Sequence, residues 1–378
     1  MTTGTISGKT TSIYDRIGVK TVINARGATT AVGGTLSDPL VLEAMAEASK
    51  AFVDLEELNA KVGERIAEIT GAEAGYVTCG SCAAMVIAAA ACIAGTDPQR
   101  VRQLPDSSGM ANEIVIHRSH RLDYDQMYRV GGGKLVEIGV PYQTQEWELE
   151  RAITERTAAV AFHDSPNVGT GALDFSTVVE IAHARGAPVI VDAASTLPPV
   201  DHLRKWIREG ADLSIYSGGK GIRGPQDSGL LAGRKDLIEA ARANGNPYAS
   251  VGRGMKVSKE AMAGLWTAIG IFMETDHEQE LQVHTAQAQF LAEAFAGRAD
   301  VRCEVNGNWE EWPAPVVRLF PVDGAWLPKK LHHALREGDP AIHCNHEHGG
   351  LMFNTHCLRD GDVERIVERL QELLPEAV

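Results

Sequence analysis

DLSIYSGGKGIRGPQ, residues 212–226, reads as a short strand that runs into a glycine turn carrying a single lysine. Asp212 to Tyr216 alternates polar and apolar side chains of high strand propensity, and Ser217, Gly218 and Gly219 break the strand. Lys220 follows on a flexible backbone that closes in a second turn at Gly224-Pro225. Glycines of this kind let a bulky ring approach the main chain. A lysine withdrawn from bulk water loses proton affinity and becomes a nucleophile, suited to forming a Schiff base with a carbonyl cofactor. A solvated lysine in a surface loop is the plain alternative.

Two further stretches bear on that choice. APVIVDAAST (187–196) is an apolar strand ending in Asp192, 28 residues before Lys220. An acid closing a buried strand sits where parallel α/β sheets place their ligands, and it can pair with the protonated ring nitrogen of pyridoxal phosphate. GYVTCGSCAAM (75–85) is a strand entering Gly80-Ser81 and then an alanine-rich helix, whose N-terminus is a ready anion site. Phosphate cradle, ring-nitrogen acid and Schiff-base lysine thus occur in chain order.

Outward from these stretches, strands are expected at 75–79, 113–116, 134–138, 157–161, 188–192 and 212–216, with a helix at 81–94. Several strands are apolar nearly throughout, as burial on both faces of a parallel sheet demands. The alternation argues α/β. From GRGMKVSKEAMAGL onward a long helical stretch reaches about Ala296. Beyond it, strands (301–305, 314–320, 341–344, 350–354) alternate with helices (327–338, 362–374). The expected organisation is an N-terminal arm and helix over 1–55, a large cofactor-binding domain over 56–255, and a connector helix with a small C-terminal α/β domain over 256–378.

The 378 residues suffice for two domains, and 44% apolar with 23% charged residues is ordinary globular composition. A net charge of −14 argues against a nucleic-acid surface. It leaves room for an anionic small substrate, since one or two arginines in a cleft suffice. The start MTTGTISGKTTSIYDR has no apolar signal region, and the longest near-apolar run, Cys82 to Ala94, is too short to span a bilayer. With six cysteines and no export signal, free thiols and a cytoplasmic location are expected. Cys79 and Cys82 form a C-x-x-C at a helix start, which is also a redox layout. A zinc site would need a second ligand group, for which His343, Cys344, His346 and His348 are the available residues.

Together VINARGATTAVGG (22–34), ITGAEAGYVTCGSCAA (69–84), KLVEIG (134–139), VDAAS (191–195), YSGGKGIRGPQDSGLLAGRKDLI (216–238) and GRGMKVSKEAMAGL (252–265) resemble the fold-type I pyridoxal-phosphate enzymes. The resemblance is to the selenocysteine synthase branch and its shorter relatives, and it covers about Ile13 to Glu372. SGGKGIRGPQ and GRGMKVSKE look most like ammonia-lyases acting on D-glucosaminate 6-phosphate. Selenocysteine synthase has an acid before the lysine and a glycine three residues after it, where this chain has Gly219 and Arg223.

The resemblance implies an aspartate aminotransferase-like fold, a mainly parallel large domain, a small α/β domain, and no metal. It implies that Lys220 holds the cofactor and then serves as acid and base, and that Asp192 keeps the pyridine nitrogen protonated. Gly80, Ser81 and Cys82 would meet the phosphate. Ser217 matches the family's phosphate hydroxyl, Ser195 lies in the matched VDAAS segment, and Arg253 would reach a phosphate or carboxylate across a dimer interface. His120, beyond a strand, is preferred over His117 as the ring that stacks on the cofactor. His163, Ser165 and Asn167 are alternatives facing the ring's hydroxyl or the substrate. Asn24, Arg26, Thr29 and Thr30 are candidate substrate contacts near the active-site mouth. Arg223 and Arg359 compete for the substrate carboxylate; Gln226 matches the family's Gly-Pro-Gln or is a turn residue only.

The implied activity is α-proton abstraction and β-elimination on an amino acid or amino-sugar acid, giving a 2-keto acid and ammonia. Aminotransferase or racemase chemistry is the runner-up. Selenium transfer to seryl-tRNA is disfavoured by the acidic balance, the short N-terminal arm and the altered lysine segment. A binding protein retaining the fold is disfavoured by the intact Asp192–Lys220 pair. The expected assembly is a homodimer or a multiple of one, with a small-molecule substrate, possibly phosphorylated, and no nucleic-acid or membrane partner.

Overall fold

The computed structural model describes residues 12–165, 168–307 and 313–374. The chain forms two units: a larger one, Ala28–His277, and a smaller one built from residues 12–27, 278–307 and 314–374.

In the larger unit seven strands form one sheet: β1 (Ala74–Thr78), β2 (Glu113–His117), β3 (Lys134–Ile138), β4 (Thr157–His163), β5 (Val189–Asp192), β6 (Leu213–Ser217) and β7 (Gly229–Gly233). Their order is β1-β7-β6-β5-β4-β2-β3. The pairs β3/β2, β2/β4, β4/β5 and β5/β6 are parallel, and β7 runs antiparallel to both β6 and β1. Val115, Val160, Val189 and Val191 pack into one core, while Ile114, Ile116, Ala159, Ala161, Ile190, Leu213 and Ile215 pack into another on the opposite face. Burial on both faces explains why these strands read as continuous apolar runs.

The second core holds α3 (Ser81–Ala94), whose run of alanines is almost wholly buried and lets the helix lie close to the sheet. The first core takes α1 (Pro39–Ala48), α2 (Leu55–Thr70) and α5 (Lys259–Glu274), through Val41, Val62, Ile66, Leu265, Ile269 and Phe272; α4 (Lys235–Asn244) packs on α3. Because α1 and α5 share this core, the larger unit begins before the expected boundary at 55/56 and ends after the one at 255/256.

The single long helix expected up to about Ala296 is two helices, α5 and α6 (His277–Glu293). Thr275 leaves α5 in an extended conformation, and its Oγ1 donates to the carbonyl of Ile271 at 2.8 Å. That side-chain bond competes with continued helix, and the two units divide here.

The smaller unit has a four-stranded antiparallel sheet in the order Asn345–Glu347, Gly350–Asn354, Val316–Pro321, Val301–Asn306. Strand Val22–Asn24 pairs in parallel with Ala341–His343. Helices α7 (Pro328–Glu337) and α8 (Asp362–Leu373) complete it over a core including Phe295, Trp326, Leu331, Phe353 and Ile366. Among the described residues no helix is long and apolar enough to cross a membrane.

Candidate active site

Parallel strands end at one edge of a sheet, and that edge is where open α/β sheets bind ligands. Here β4 ends in His163, β5 in Asp192 and β6 in Ser217, with His163 directly opposite Asp192. Strand alternation puts Asp192 on the side of Ile190, and Ser217 on the side of Ile215. Both therefore face the core that contains α3.

The start of α3 has the open geometry an anion needs. Gly80 precedes it at φ +118°, and no side chain caps it. The first amides of a helix have no intrahelical acceptor, so Ser81 and Cys82 present donors with the positive end of the helix dipole. Strand β7 passes close by: a Cβ at Gly229 would lie 2.6 Å from Gly80 C and 2.8 Å from Thr78 Oγ1. Gly229 is also the register partner of both Thr78 and Ser217.

The lysine turn is held from several sides. Gly218 N donates to Ser228 O at 2.9 Å, and Gly224 N donates to Gly218 O at 2.8 Å. Thr35 Oγ1 donates to the carbonyl of Lys220 at 2.9 Å. Gln226 Nε2 donates to Thr30 Oγ1 at 3.2 Å, so Gln226 ties the loop to residue 30 and does more than turn the chain. A Cβ at Gly219 would meet Gln226 Cα at 2.5 Å, which is why that position is glycine. Arg223 takes a left-handed conformation, φ +57°, and is half-buried.

Electrostatics link three residues far apart in sequence. Burial pushes the Lys220 ammonium below its ordinary range, against the opposing pull of Asp192 and Cys82. Burial, with the negative charge of Asp192, pushes the Cys82 thiol up, and Lys220 opposes this. Lys220, Asp192 and Cys82 are thus mutual neighbours. Cys79 is also pushed up, by burial first. Raised thiols do not suit a redox pair, and all six cysteines are free.

His120 is buried, packs edge-on against Phe162 with ring centroids 4.5 Å apart, and accepts through Nδ1 from the amide of His163 at 3.2 Å. Burial, with His117 and His163 nearby, holds it down to about 3. It is neutral near physiological pH, so it offers a flat surface without positive charge. His117 is buried without hydrogen-bond partners on either ring nitrogen and is held down to about 4 by burial.

The remaining candidates divide. Ser195 and Thr29 are in the larger unit, half-buried beyond β5 and at the head of a short turn respectively. Arg253 is exposed on the turn Val251–Gly254, which packs against α3. Ser165 lies just past β4, and Asn167 is outside the described residues. Arg26 and Arg359 belong to the smaller unit. Arg26 Nε donates to Asn345 Oδ1 at 2.9 Å, and Arg359 Nε donates to Asp362 Oδ2 at 3.3 Å. Sequence reasoning missed Tyr128, a buried ring stacked on His163 at 5.9 Å. Nothing in DYDQMYRV marks it, because its position follows from packing.

A family model described as L-seryl-tRNA selenium transferase (SelA) matches residues 22–296. The chain is 37% identical over 380 residues to the D-glucosaminate-6-phosphate ammonia lyase of Salmonella typhimurium, spanning 97% of this chain and 99% of that one. It is 35% identical over 382 residues to a 5'-C-glycyluridine monooxygenase-decarboxylase of a Streptomyces species, spanning 97% and 93%. A solved structure of D-glucosaminate-6-phosphate ammonia-lyase matches with a TM-score of 0.85 at 35% identity, over 98% of this chain and 100% of that chain. The fold-type I architecture expected from the resemblance is borne out.

Proposed function

The chain belongs to the SelA family, and from that premise we propose that it is a pyridoxal-phosphate-dependent carbon–nitrogen lyase. Its substrate is an amino acid or amino-sugar acid, phosphorylated as in the Salmonella relative's name, and it releases a 2-keto acid and ammonia. The observation that carries this reading is the convergence of Lys220, Asp192 and Cys82 at the head of α3.

The residues present fit the cofactor. The uncapped start of α3 offers amides to its phosphate, with the Ser217 hydroxyl on the same side of the sheet. With the cofactor bound, Asp192 would hold a proton on its ring nitrogen through its negative charge. His120 supplies a neutral flat face. Pyridoxal phosphate, when bound, supplies an electron sink for the charge left at the substrate's α-carbon. Lys220, its proton affinity lowered by burial, would take the α-proton and, as an ammonium, give a proton to the departing β-hydroxyl, which leaves as water; a second water would then hydrolyse the released enamine to the keto acid and ammonia. The Arg359 fork is the proposed carboxylate partner, and Arg253 a phosphate partner from a second copy.

Exposed apolar side chains near the N-terminus, Leu36, Leu40 and Phe52 among them, favour a homodimer or a multiple of one. The six free thiols favour a cytoplasmic enzyme. The 35% likeness to a monooxygenase-decarboxylase favours one second reading, oxygen-dependent loss of the substrate carboxylate. A screen of amino acids, amino-sugar acids and their phosphates separates the two: keto acid with ammonia supports the lyase, oxygen uptake with carbon dioxide the alternative. Borohydride reduction followed by peptide mapping tests the site itself. The reduced pyridoxyl group is expected on Lys220 and absent from Lys220→Ala; labelling at another lysine removes the assignment.

A further inference from the structure

In the smaller unit the histidine-rich stretch 343–348 lies beside two arginines, Arg26 and Arg336. Among the described residues no group of three or more His, Cys, Asp or Glu side chains could hold a metal ion. In the smaller unit the parallel pairing sets Asn24 opposite His343, and Ala25 N donates to His343 O at 2.8 Å. That register brings Arg26 to the end of its strand, where it donates to Asn345. Helix α7 packs on Ala341–His343 and carries His332 and Arg336, four residues apart and therefore on one face. His332 Nε2 lies 3.2 Å from the carbonyl oxygen of Cys344, and its ring is 5.9 Å from that of His346. Arg26 and Arg336 both act on His332, on His343 and on Cys344, and no carboxylate is among the principal charges acting on these three. His343 Nδ1 is buried without a hydrogen-bond partner.

Convergent arginines are not the average surface of this chain, which has 36 basic against 50 acidic residues. Two guanidinium groups, with the His343 imidazole beside them, offer more donors than the two oxygens of a carboxylate accept comfortably, and two positive charges match a dianion. We infer that Arg26, Arg336 and His343, with His332 holding the Cys344 carbonyl beside them, form a binding site for a phosphate dianion, free or as a monoester. The site is independent of the reaction; that its occupant is the substrate's own phosphoryl group rests on the lyase reading above.

The test uses the full-length protein loaded with pyridoxal phosphate, so that the cofactor's phosphate contacts are already filled. Calorimetric titration with inorganic phosphate and with glycerol 2-phosphate is expected to show saturable binding. Arg336→Ala and Arg26→Ala each weaken it about tenfold or more, the loss of one charge-assisted contact. Arg302→Ala, which removes an exposed arginine of the same unit paired with Glu304, leaves binding unchanged, and acetate binds far more weakly than phosphate. No phosphate binding, equal weakening by Arg302→Ala, or acetate binding as tightly would overturn the site. If Arg336→Ala raises KM for a phosphorylated substrate and spares its unphosphorylated counterpart, the occupant is the substrate's phosphoryl group. If phosphate binding is lost while both KM values hold, it is a separate ligand. Calorimetry needs no turnover, so failure of the lyase assay leaves this result standing.

Discussion

Gly229→Ala tests whether the head of α3 is the cofactor's phosphate cradle. The new Cβ would lie 2.6 Å from Gly80 C, 2.8 Å from Thr78 Oγ1 and 2.9 Å from Gly80 Cα. Carbon atoms in favourable contact sit about 3.5–4.0 Å apart, so relief requires a shift of roughly 1 Å. The nearest atom in the way is Gly80 backbone, and Gly229 is fixed between Thr78 and Ser217 by both strand pairings. The shift therefore passes into Gly80 and the first turn of α3. Overpacking of this kind costs about 1–3 kcal/mol, and misplacing a ligand contact by about 1 Å can cost on the order of 10²-fold. Cofactor affinity, read by titrating the apoenzyme with pyridoxal phosphate and following visible absorbance, is expected to fall about 10–100-fold. A thermal melt of the apoenzyme separates this from general unfolding. Affinity within about twofold of wild type would refute the placement of the phosphate at Gly80 to Cys82.

Asp192→Asn keeps the shape and removes the charge on the ring nitrogen's partner; cofactor is retained while turnover falls about 10²–10³-fold or more, and near-normal turnover would assign ring protonation to another residue. Acid weakens the fold through buried histidines: His117 and His120 are held from 6.5 down to about 4 and about 3, by burial first. The unfolded chain binds their protons at the higher value, so stability is complete above 6.5 and is lost as pH falls, by about 3 kcal/mol for each group at pH 4. Denaturant unfolding at pH 7 and pH 4.5 should show a pH-dependent loss that shrinks in His117→Leu; an unchanged loss would remove His117 as its source. Arg359→Lys, which loses the planar fork, should raise KM for every substrate about tenfold or more; a lower melting temperature with unchanged KM would confine Arg359 to its contact with Asp362.

Lys220, Asp192 and the start of α3 could be picked out as candidates because each role proposed for them needs local chemistry at a fixed chain position. A strand must end, a glycine must follow, and the functional residue must stand next. Strand ends at His163, Asp192 and Ser217 lie within two residues of those read from apolar runs. The arginines were not legible in the same way. Arg26, Arg253 and Arg359 sit in segments whose composition fits a surface loop equally well, and the partner of Arg26, Asn345, lies 319 positions away in the chain.

By itself the sequence determined the α/β alternation, the mainly parallel sheet and the chain order of the candidate cofactor residues, because backbone propensity and two-sided burial act over a few neighbouring residues. Only the tertiary structure decided that Lys220, Asp192 and Cys82 share one electrostatic neighbourhood, and that His120 is a buried neutral ring. It also decided that the connector breaks at Thr275 and that Arg26 and Arg336 converge on His343. Those facts depend on strand register, on helix packing and on how much water each group loses, and these quantities exist only once distant segments have been brought together.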